Sequence, residues 1–271
     1  KLFLGMTLGI PVLRYKSISS YAESDIADSI NGFNNLGLTE ELNTYGVGFN
    51  AKFGYLYKVN KYFRIGGAIH TPTIYDMEDD YITSISSDLD SNVTYVANSP
   101  MGEFRYHLYT PWKASLGMSA FFGKRGFIAI DYEFIDYSLS FYDFSSFSSN
   151  ISDHLAATYI NNTIGNKYGQ TNNFKIGTEL LLTDQFVIRM GYNYYGDPFS
   201  YTDGTERVNR VRQLGSLGFG FKEGNAYLDL AYTKSFGEDY YQKYSINNTN
   251  DIGVNNVLSQ GRVSVTLGLK L

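Results

Sequence analysis

Thr110–Ser138 reads TPWKASLGMSAFFGKRGFIAIDYEFIDYS. Two long runs flank the turn Gly123-Lys124-Arg125-Gly126, and both alternate. On the first, Trp112, Ala114, Leu116, Met118 and Ala120 share one face, and Lys113, Ser115, Gly117 and Ser119 share the other. On the second, Ile128, Ile130, Tyr132 and Phe134 lie opposite Asp131 and Glu133. Successive strand side chains point to opposite faces, so each run is a ribbon with one apolar and one polar side. Each is longer than the usual soluble strand of about five or six residues. Each is also long enough to cross a bilayer, which needs roughly 9–11 tilted residues. Such a hairpin, with a short turn at one end, is the unit of an antiparallel transmembrane β-barrel.

Composition agrees with a barrel and narrows the classes of function. The 271 residues suffice for one large domain, read as 1–271. There is no cysteine, hence neither a disulfide framework nor a thiolate metal site. A net charge of −5 argues against a nucleic-acid partner, because phosphate binding needs a basic face. Mean hydropathy is −0.23, and no apolar run reaches the roughly 18 residues of a membrane helix. A barrel alternates lipid-facing and lumen-facing residues, so its average hydropathy is that of a soluble protein. The 25 Tyr, 19 Phe and 27 Gly against 5 Pro suit interfacial girdles, where an apolar ring meets a wet hydroxyl.

Alternation of the same kind recurs along the chain. Strands are expected at Leu2–Tyr15, Tyr45–Tyr57, Phe63 toward Tyr81, Phe104 to Phe121, and Gly126 fading near Phe144. They continue at Phe174–Leu182, Phe186–Tyr195, Val211–Phe221, Ala226–Phe236 and Gly261–Leu271. That is about ten strands. Their connections alternate between tight turns, such as Lys58–Lys61, Thr183–Gln185 and Lys222–Asn225, and long polar segments. The long ones are Ser17–Thr44, Ser84–Pro100, Ser145–Gly169, a segment with Asp197-Pro198 and Asp203-Gly204, and Gly237–Asn256. Bacterial outer-membrane barrels sort their connections in this way, with short periplasmic turns and long external loops. Every short turn then falls on the same side as Leu271.

An ordered set of motifs resembles the FadL-type outer-membrane transporters. The set comprises Phe63–Pro72 (FRIGGAIHTP), Thr110–Gly117 (TPWKASLG) with Asp131–Ser138 (DYEFIDYS), and Arg189–Tyr195 (RMGYNYY). The resemblance implies a fourteen-stranded barrel with an N-terminal hatch in the lumen. It also implies movement of long-chain fatty acids or other hydrophobic compounds across the outer membrane. Against that pattern the chain is expected to be the C-terminal portion of such a barrel, with the hatch and first strands missing. Lys1 then falls inside a strand.

Within a barrel the polar faces supply the candidate ligand-binding residues. Arg64, His70, Arg105, His107, Lys113 and Arg189 are expected to face the lumen, with Lys175, Glu179 and Arg262. A basic group beside apolar surface would hold a fatty-acid carboxylate, because charge-assisted hydrogen bonds strengthen where water is excluded. The alternative is that these residues solvate the lumen and pair with Asp131, Glu133, Glu179 and Asp229. His70 and His107, with Glu103 nearby, are a weak basis for zinc, so neither a metal nor a cofactor is expected. The three His lack the spacing of a hydrolase triad, and the chain is not read as an enzyme. Pro72 and Pro111 fall within strands, where a missing N–H marks a bulge or kink and hence a candidate lateral opening in the wall. Asp76–Asp80 (DMEDD) reads as a solvated external face, with divalent cations beside lipopolysaccharide as the alternative. Asn92-Val93-Thr94, Asn150-Ile151-Ser152 and Asn248-Thr249 read as ordinary loop composition.

The leading expectation is therefore transport of a hydrophobic small molecule by lumen binding and gated diffusion, in contact with outer-membrane lipid and lipopolysaccharide. Two alternatives are a FadL-like barrel serving as an accessory subunit, with protein partners in a secretion or surface assembly, and a general porin.

Overall fold

A computed structural model of the chain describes residues 1–90, 93–144, 147, 150–200, 209–242 and 253–269. Leu271, Asn92, Asn248, Thr249, Asp203 and Gly204 lie outside the described residues. One antiparallel sheet holds fifteen strand segments. They are β1 (Leu2–Gly9), β2 (Val12–Ser24), β3 (Asn35–Lys58), β4 (Phe63–His70), β5 (Ile74–Asp88), β6 (Thr94–Asn98), β7 (Gly102–Tyr109) and β8 (Lys113–Phe121). Then follow β9 (Gly126–Asp136), β10 (Phe141–Asp143), a helix α1 (Ile151–Lys167), β11 (Gln170–Leu181), β12 (Phe186–Tyr195), β13 (Arg212–Glu223), β14 (Ala226–Gln242) and β15 (Gly253–Leu269).

The segments combine into ten wall strands. β1 and β2 both pair with β3, end to end. β4 and β5 pair with the other edge of β3. β8 and β7 continue the next strand, with β6 extending it along β5. β9 and β10 continue the one after. β11 to β15 then follow in simple sequence. The ten strands expected from alternation are therefore those observed. Among the described residues the first and last wall strands do not pair with each other, so the sheet is open.

The two faces separate as expected in the lower half. Leu4, Met6, Phe53, Ile69, Leu116 and Leu267 expose their side chains on one face, which continues through Ile130, Ile176, Met190 and Leu230 on the paired strands. This apolar band is what a bilayer would cover. Short turns close one end, and Gly123 (φ 64°) and Gly224 (φ 57°) supply the left-handed backbone that two of them need.

Three expectations about connections change, the first being that the described parts of the expected loop Gly237–Asn256, 237–242 and 253–256, are strand in β14 and β15. Most of Ser17–Thr44 and Ser84–Pro100 is strand, because β2, β3, β5 and β6 run on beyond the apolar band. Alternation of apolar residues marks contact with lipid. Strand pairing itself needs only backbone groups, so a polar strand outside the membrane gives no such signal. Likewise Ser145–Gly169 contains α1, whose sequence ISDHLAATYINNTIGNK lacks a continuous apolar stripe. Its start is capped by Asn150, whose side chain accepts from the Ser152 N–H at 3.1 Å.

Candidate functional site

A belt of strand breaks crosses the wall at one level. Asn50-Ala51 of β3 lies opposite Thr71-Pro72-Thr73, since Lys52 pairs with His70 and Phe49 with Ile74. Three residues against two make a bulge. Next to it, Thr110-Pro111-Trp112 joins β7 to β8, and a 3-10 turn at Tyr137–Leu139 joins β9 to β10. Two backbone bonds cross the breaks, Thr71 N–H to the Ala51 carbonyl at 2.9 Å and Thr110 N–H to the Thr73 carbonyl at 3.0 Å, and side chains supplement them. Thr71 Oγ1 accepts from the Ala51 N–H at 2.9 Å, and Thr110 Oγ1 accepts from the Thr73 N–H at 2.8 Å. Asn50 Nδ2 donates to Thr73 Oγ1 at 2.8 Å. Pro72 and Pro111 occupy positions where this stitching asks nothing of their own nitrogen.

The breaks swap the faces. Residues four apart in a regular strand point the same way, but three-residue interruptions reverse this on both sides of the belt. His70 pairs with Lys52 and Lys113, on the polar face. Ile74 pairs with Phe49 and Tyr109, on the apolar face. Consequently Met77, Asp79, Phe104, Tyr106 and Leu108 continue the polar, lumen side, and Asp76, Glu78, Asp80, Arg105 and His107 continue the outer side. The expectation that Arg105 and His107 face the lumen is corrected: the bulges invert their strand. Arg105 instead bridges Glu78 at 2.6 Å and Glu103 at 3.4 Å on the outer surface. His70 and His107, on opposite faces, cannot share a metal.

Above the belt the lumen face turns apolar. Met77, Tyr106 and Phe144 are 3%, 6% and 3% exposed and form the buried cluster, against which Leu13, Ala157 and Ile160 pack. Gly46 and Gly48 leave room for it: a Cβ at Gly46 would lie 2.3 Å from Met77 Sδ, and one at Gly48 2.7 Å from the Tyr75 ring. α1 lies across this face. Asn161 docks it on the edge strand β10, donating to the Tyr142 carbonyl at 2.9 Å and accepting from the Tyr142 N–H at 2.8 Å. Between helix and sheet is a pocket of about 620 Å³. Phe104, Tyr106, Leu108, Tyr142 and Phe144 wall it from the sheet side, Tyr159, Ile160 and Ile164 from the helix, and Tyr137 and Tyr168 also line it. Asp79 is the one ionisable carboxylate in its wall. Tyr106 donates its hydroxyl to Asp79 Oδ2 at 3.2 Å. A space of several hundred Å³, mostly aromatic with few polar groups, is the usual form of a site for an apolar small molecule.

Below the belt the lumen face is charged. Lys52, His70 and Lys113 stand in one row on three neighbouring strands. Glu133 binds Asn173, which donates to it at 2.9 Å and is only 4% exposed. Arg189 is held by two carboxylates, Glu179 at 2.8 Å and Asp229 at 2.5 Å. It reaches Asp229 across β13, where Gly218 and Gly220 have no side chain to obstruct it. Arg64 lies over the Phe121 ring at 4.0 Å, near the short-turn end. Lys175 sits 5.8 Å from the Tyr195 ring. Of the six basic residues singled out from sequence, His70 and Lys113 are therefore brought together, Arg64 and Arg189 lie deeper, and Arg105 and His107 lie outside.

Beyond the spanning strands, hydrogen bonds from the Ile30 and Ser29 N–H groups hold the Asp25 carboxyl below its usual range in the first external loop. At the outer end of β14, Arg210 binds Asp239 at 2.9 Å and lies over Phe199 at 4.3 Å. That hydrogen bond lowers the Asp239 pKa.

A family model described as outer membrane protein transport protein (OMPP1/FadL/TodX) matches residues 8–267. The chain belongs to this family. It is an outer-membrane β-barrel protein of the OMPP1/FadL/TodX type, as its sheet, apolar band and sorted turns require. Among solved structures, the fold is similar to the CymD monoaromatic hydrocarbon channel, with 12% identity and a TM-score of 0.56. It is similar also to the toluene transporter TodX of P. putida, with 14% identity and a TM-score of 0.57. All of this chain is covered in both cases, and it spans 70% and 66% of the lengths of those two chains. At such identities the likeness is one of fold. No curated protein matches the chain significantly.

The pocket was not readable from sequence. Its walls come from three interrupted strands and a helix that carries no apolar stripe. One usable signal was the glycine pair Gly46 and Gly48, two residues apart in a long strand.

Proposed function

We propose that this FadL/TodX-family barrel carries hydrophobic small molecules, long-chain fatty acids or similar compounds, across the outer membrane by binding and gated diffusion. The observation that carries the reading is the aromatic pocket of about 620 Å³ on the lumen face, directly above the belt of strand breaks. An apolar compound entering from outside loses its contact with water there, at roughly 25 cal/mol for each Å² of apolar surface buried. The belt at Pro72 and Pro111 is the proposed way out, because a wall with an interrupted backbone ladder, supplemented by Thr and Asn side chains, separates at less cost than a continuous one. The row of Lys52, His70 and Lys113 just below is the proposed station for a carboxylate. Arg189, already bound by Glu179 and Asp229, is proposed to brace the wall, with any ligand contact secondary.

Equilibrium dialysis of the purified chain in detergent against radiolabelled toluene and palmitate tests the reading. Saturable binding that Leu108→Trp weakens at least tenfold is expected. Binding to neither compound, or a stable large conductance in planar bilayers, would set the reading aside in favour of a porin. Stoichiometric protein partners on native purification would favour an accessory role.

A further inference from the structure

The acidic run 76–80 is split by the strand: Asp76, Glu78 and Asp80 face outward, and Asp79 alone faces the aromatic pocket. Its two oxygens are used unequally. Oδ2 accepts from Tyr106, whereas Oδ1 is buried and has no hydrogen-bond partner among the described residues. A buried oxygen left unpaired costs free energy. Asp79 is among the residues that line the pocket of about 620 Å³, so a turn of its carboxylate brings Oδ1 to that space. No residue in the pocket wall is basic. Tyr137, Tyr142 and Tyr168 supply further hydroxyls and ring faces, but no positive charge.

We propose that Asp79 makes this pocket selective for apolar molecules that carry a neutral hydrogen-bond donor, a hydroxyl on an aromatic or alicyclic body, over bare hydrocarbons and over free acids. The inference rests on the pocket reading above and narrows its ligand class. A donor hydroxyl completes the coordination of Asp79 that Tyr106 begins, and its ring or chain takes the apolar walls. A hydrocarbon leaves Oδ1 as it is. A carboxylate must bring a second negative charge into an apolar space beside the first, which Coulomb repulsion and desolvation both oppose. The carboxylate of a free acid is therefore held below the belt, at Lys52, His70 and Lys113, and only an apolar tail long enough to reach the pocket enters it.

Three probes of one shape separate these cases: p-cresol, toluene and p-toluate, measured by equilibrium dialysis on the purified chain at neutral pH. A hydrogen bond to a charged group corresponds to roughly tenfold or more in affinity. The wild type is expected to bind p-cresol about tenfold more tightly than toluene, and p-toluate most weakly. Asp79→Leu should remove the p-cresol advantage and leave toluene binding intact or tighter. Asp79→Asn, nearly isosteric, should keep part of the p-cresol advantage and improve p-toluate; it also stands in if the leucine variant fails to fold. Equal binding of p-cresol and toluene by the wild type, or a preference unchanged in both variants, overturns the selectivity and leaves the pocket standing. Failure of all three probes to bind overturns the pocket and the selectivity together.

Discussion

Asn161→Leu tests whether α1 forms the pocket by docking on the sheet. The substitution keeps the size of the side chain and removes both hydrogen bonds to Tyr142, at 2.8 and 2.9 Å. Each neutral bond contributes about 0.5–1.5 kcal/mol net, so the docked state should lose about 1–3 kcal/mol. That is a shift of roughly 5- to 150-fold in the ratio of docked to open helix. Once released, a 17-residue polar helix has little reason to persist, since most helical stability in proteins comes from tertiary packing of an apolar face. Hydrogen exchange read by mass spectrometry therefore reports the opening directly. Protection of amides in 151–167 should fall by that factor, while amides of β8, β9 and β11 keep theirs. Apparent affinity for an apolar probe should fall in the same variant, because only the docked fraction binds. Unchanged protection in α1, with the sheet intact, would refute the argument that Asn161 secures the helix.

Other expectations follow from the same geometry. Because the breaks invert the strand, single cysteines placed in this cysteine-free chain at Arg105 and Phe104 should differ: a water-soluble maleimide should label the first freely and the second only slowly, and equal rates would contradict the inversion. Arg189→Ala should cost about 0.4–2 kcal/mol in unfolding, the sum of two half-exposed ion pairs of roughly 0.2–1 kcal/mol each. Gly220→Val puts a Cβ 2.6 Å from Asp229 Oδ1 and should cost less in the Arg189→Ala background than alone. Additive costs in that double-mutant cycle would remove the proposed bridge across β13. At the outer rim the Asp239 pKa is lowered in the folded state, so its pairing with Arg210 stabilises the rim above the unfolded carboxyl pKa of about 3.9. The contribution is lost as pH falls through the lowered folded value. Limited proteolysis near 209–242 should accelerate at the acid end for wild type and be less pH-dependent in Asp239→Asn.

How much was legible in the sequence depends on which physical constraint each residue obeys. The lower wall is written plainly, since Trp112, Leu116 and Met118 must meet lipid while Lys113 and Ser115 must not, and a period of two records both demands. The strand number and the side of the turns followed from the same alternation. Above the bilayer that pressure ends. Ser17–Ser24 and Thr39–Thr44 pair as strands with polar residues on both faces, and read as loop. The prolines at 72 and 111 did mark the breaks, but the consequence for Arg105 depends on how many residues face Asn50-Ala51, which is a matter of register. The single substitution of faces at Asp79 is invisible for the same reason. α1 was missed because its docking relies on Asn161 and a few residues such as Ala157 and Ile160, too few to imprint a period of 3.6.

Everything proposed for transport depends on an apolar ligand occupying the space between α1 and the upper sheet. A toluene-sized aryl diazirine, photolysed on the purified chain and mapped by peptide mass spectrometry, tests it most directly. Saturable labels, competed by unlabelled aromatic ligand, are expected in the peptides containing Phe104–Leu108, Tyr137–Phe144 and Tyr159–Tyr168. Labels confined to the lipid face around Leu116, Met118 and Ile130, without competition, would contradict it.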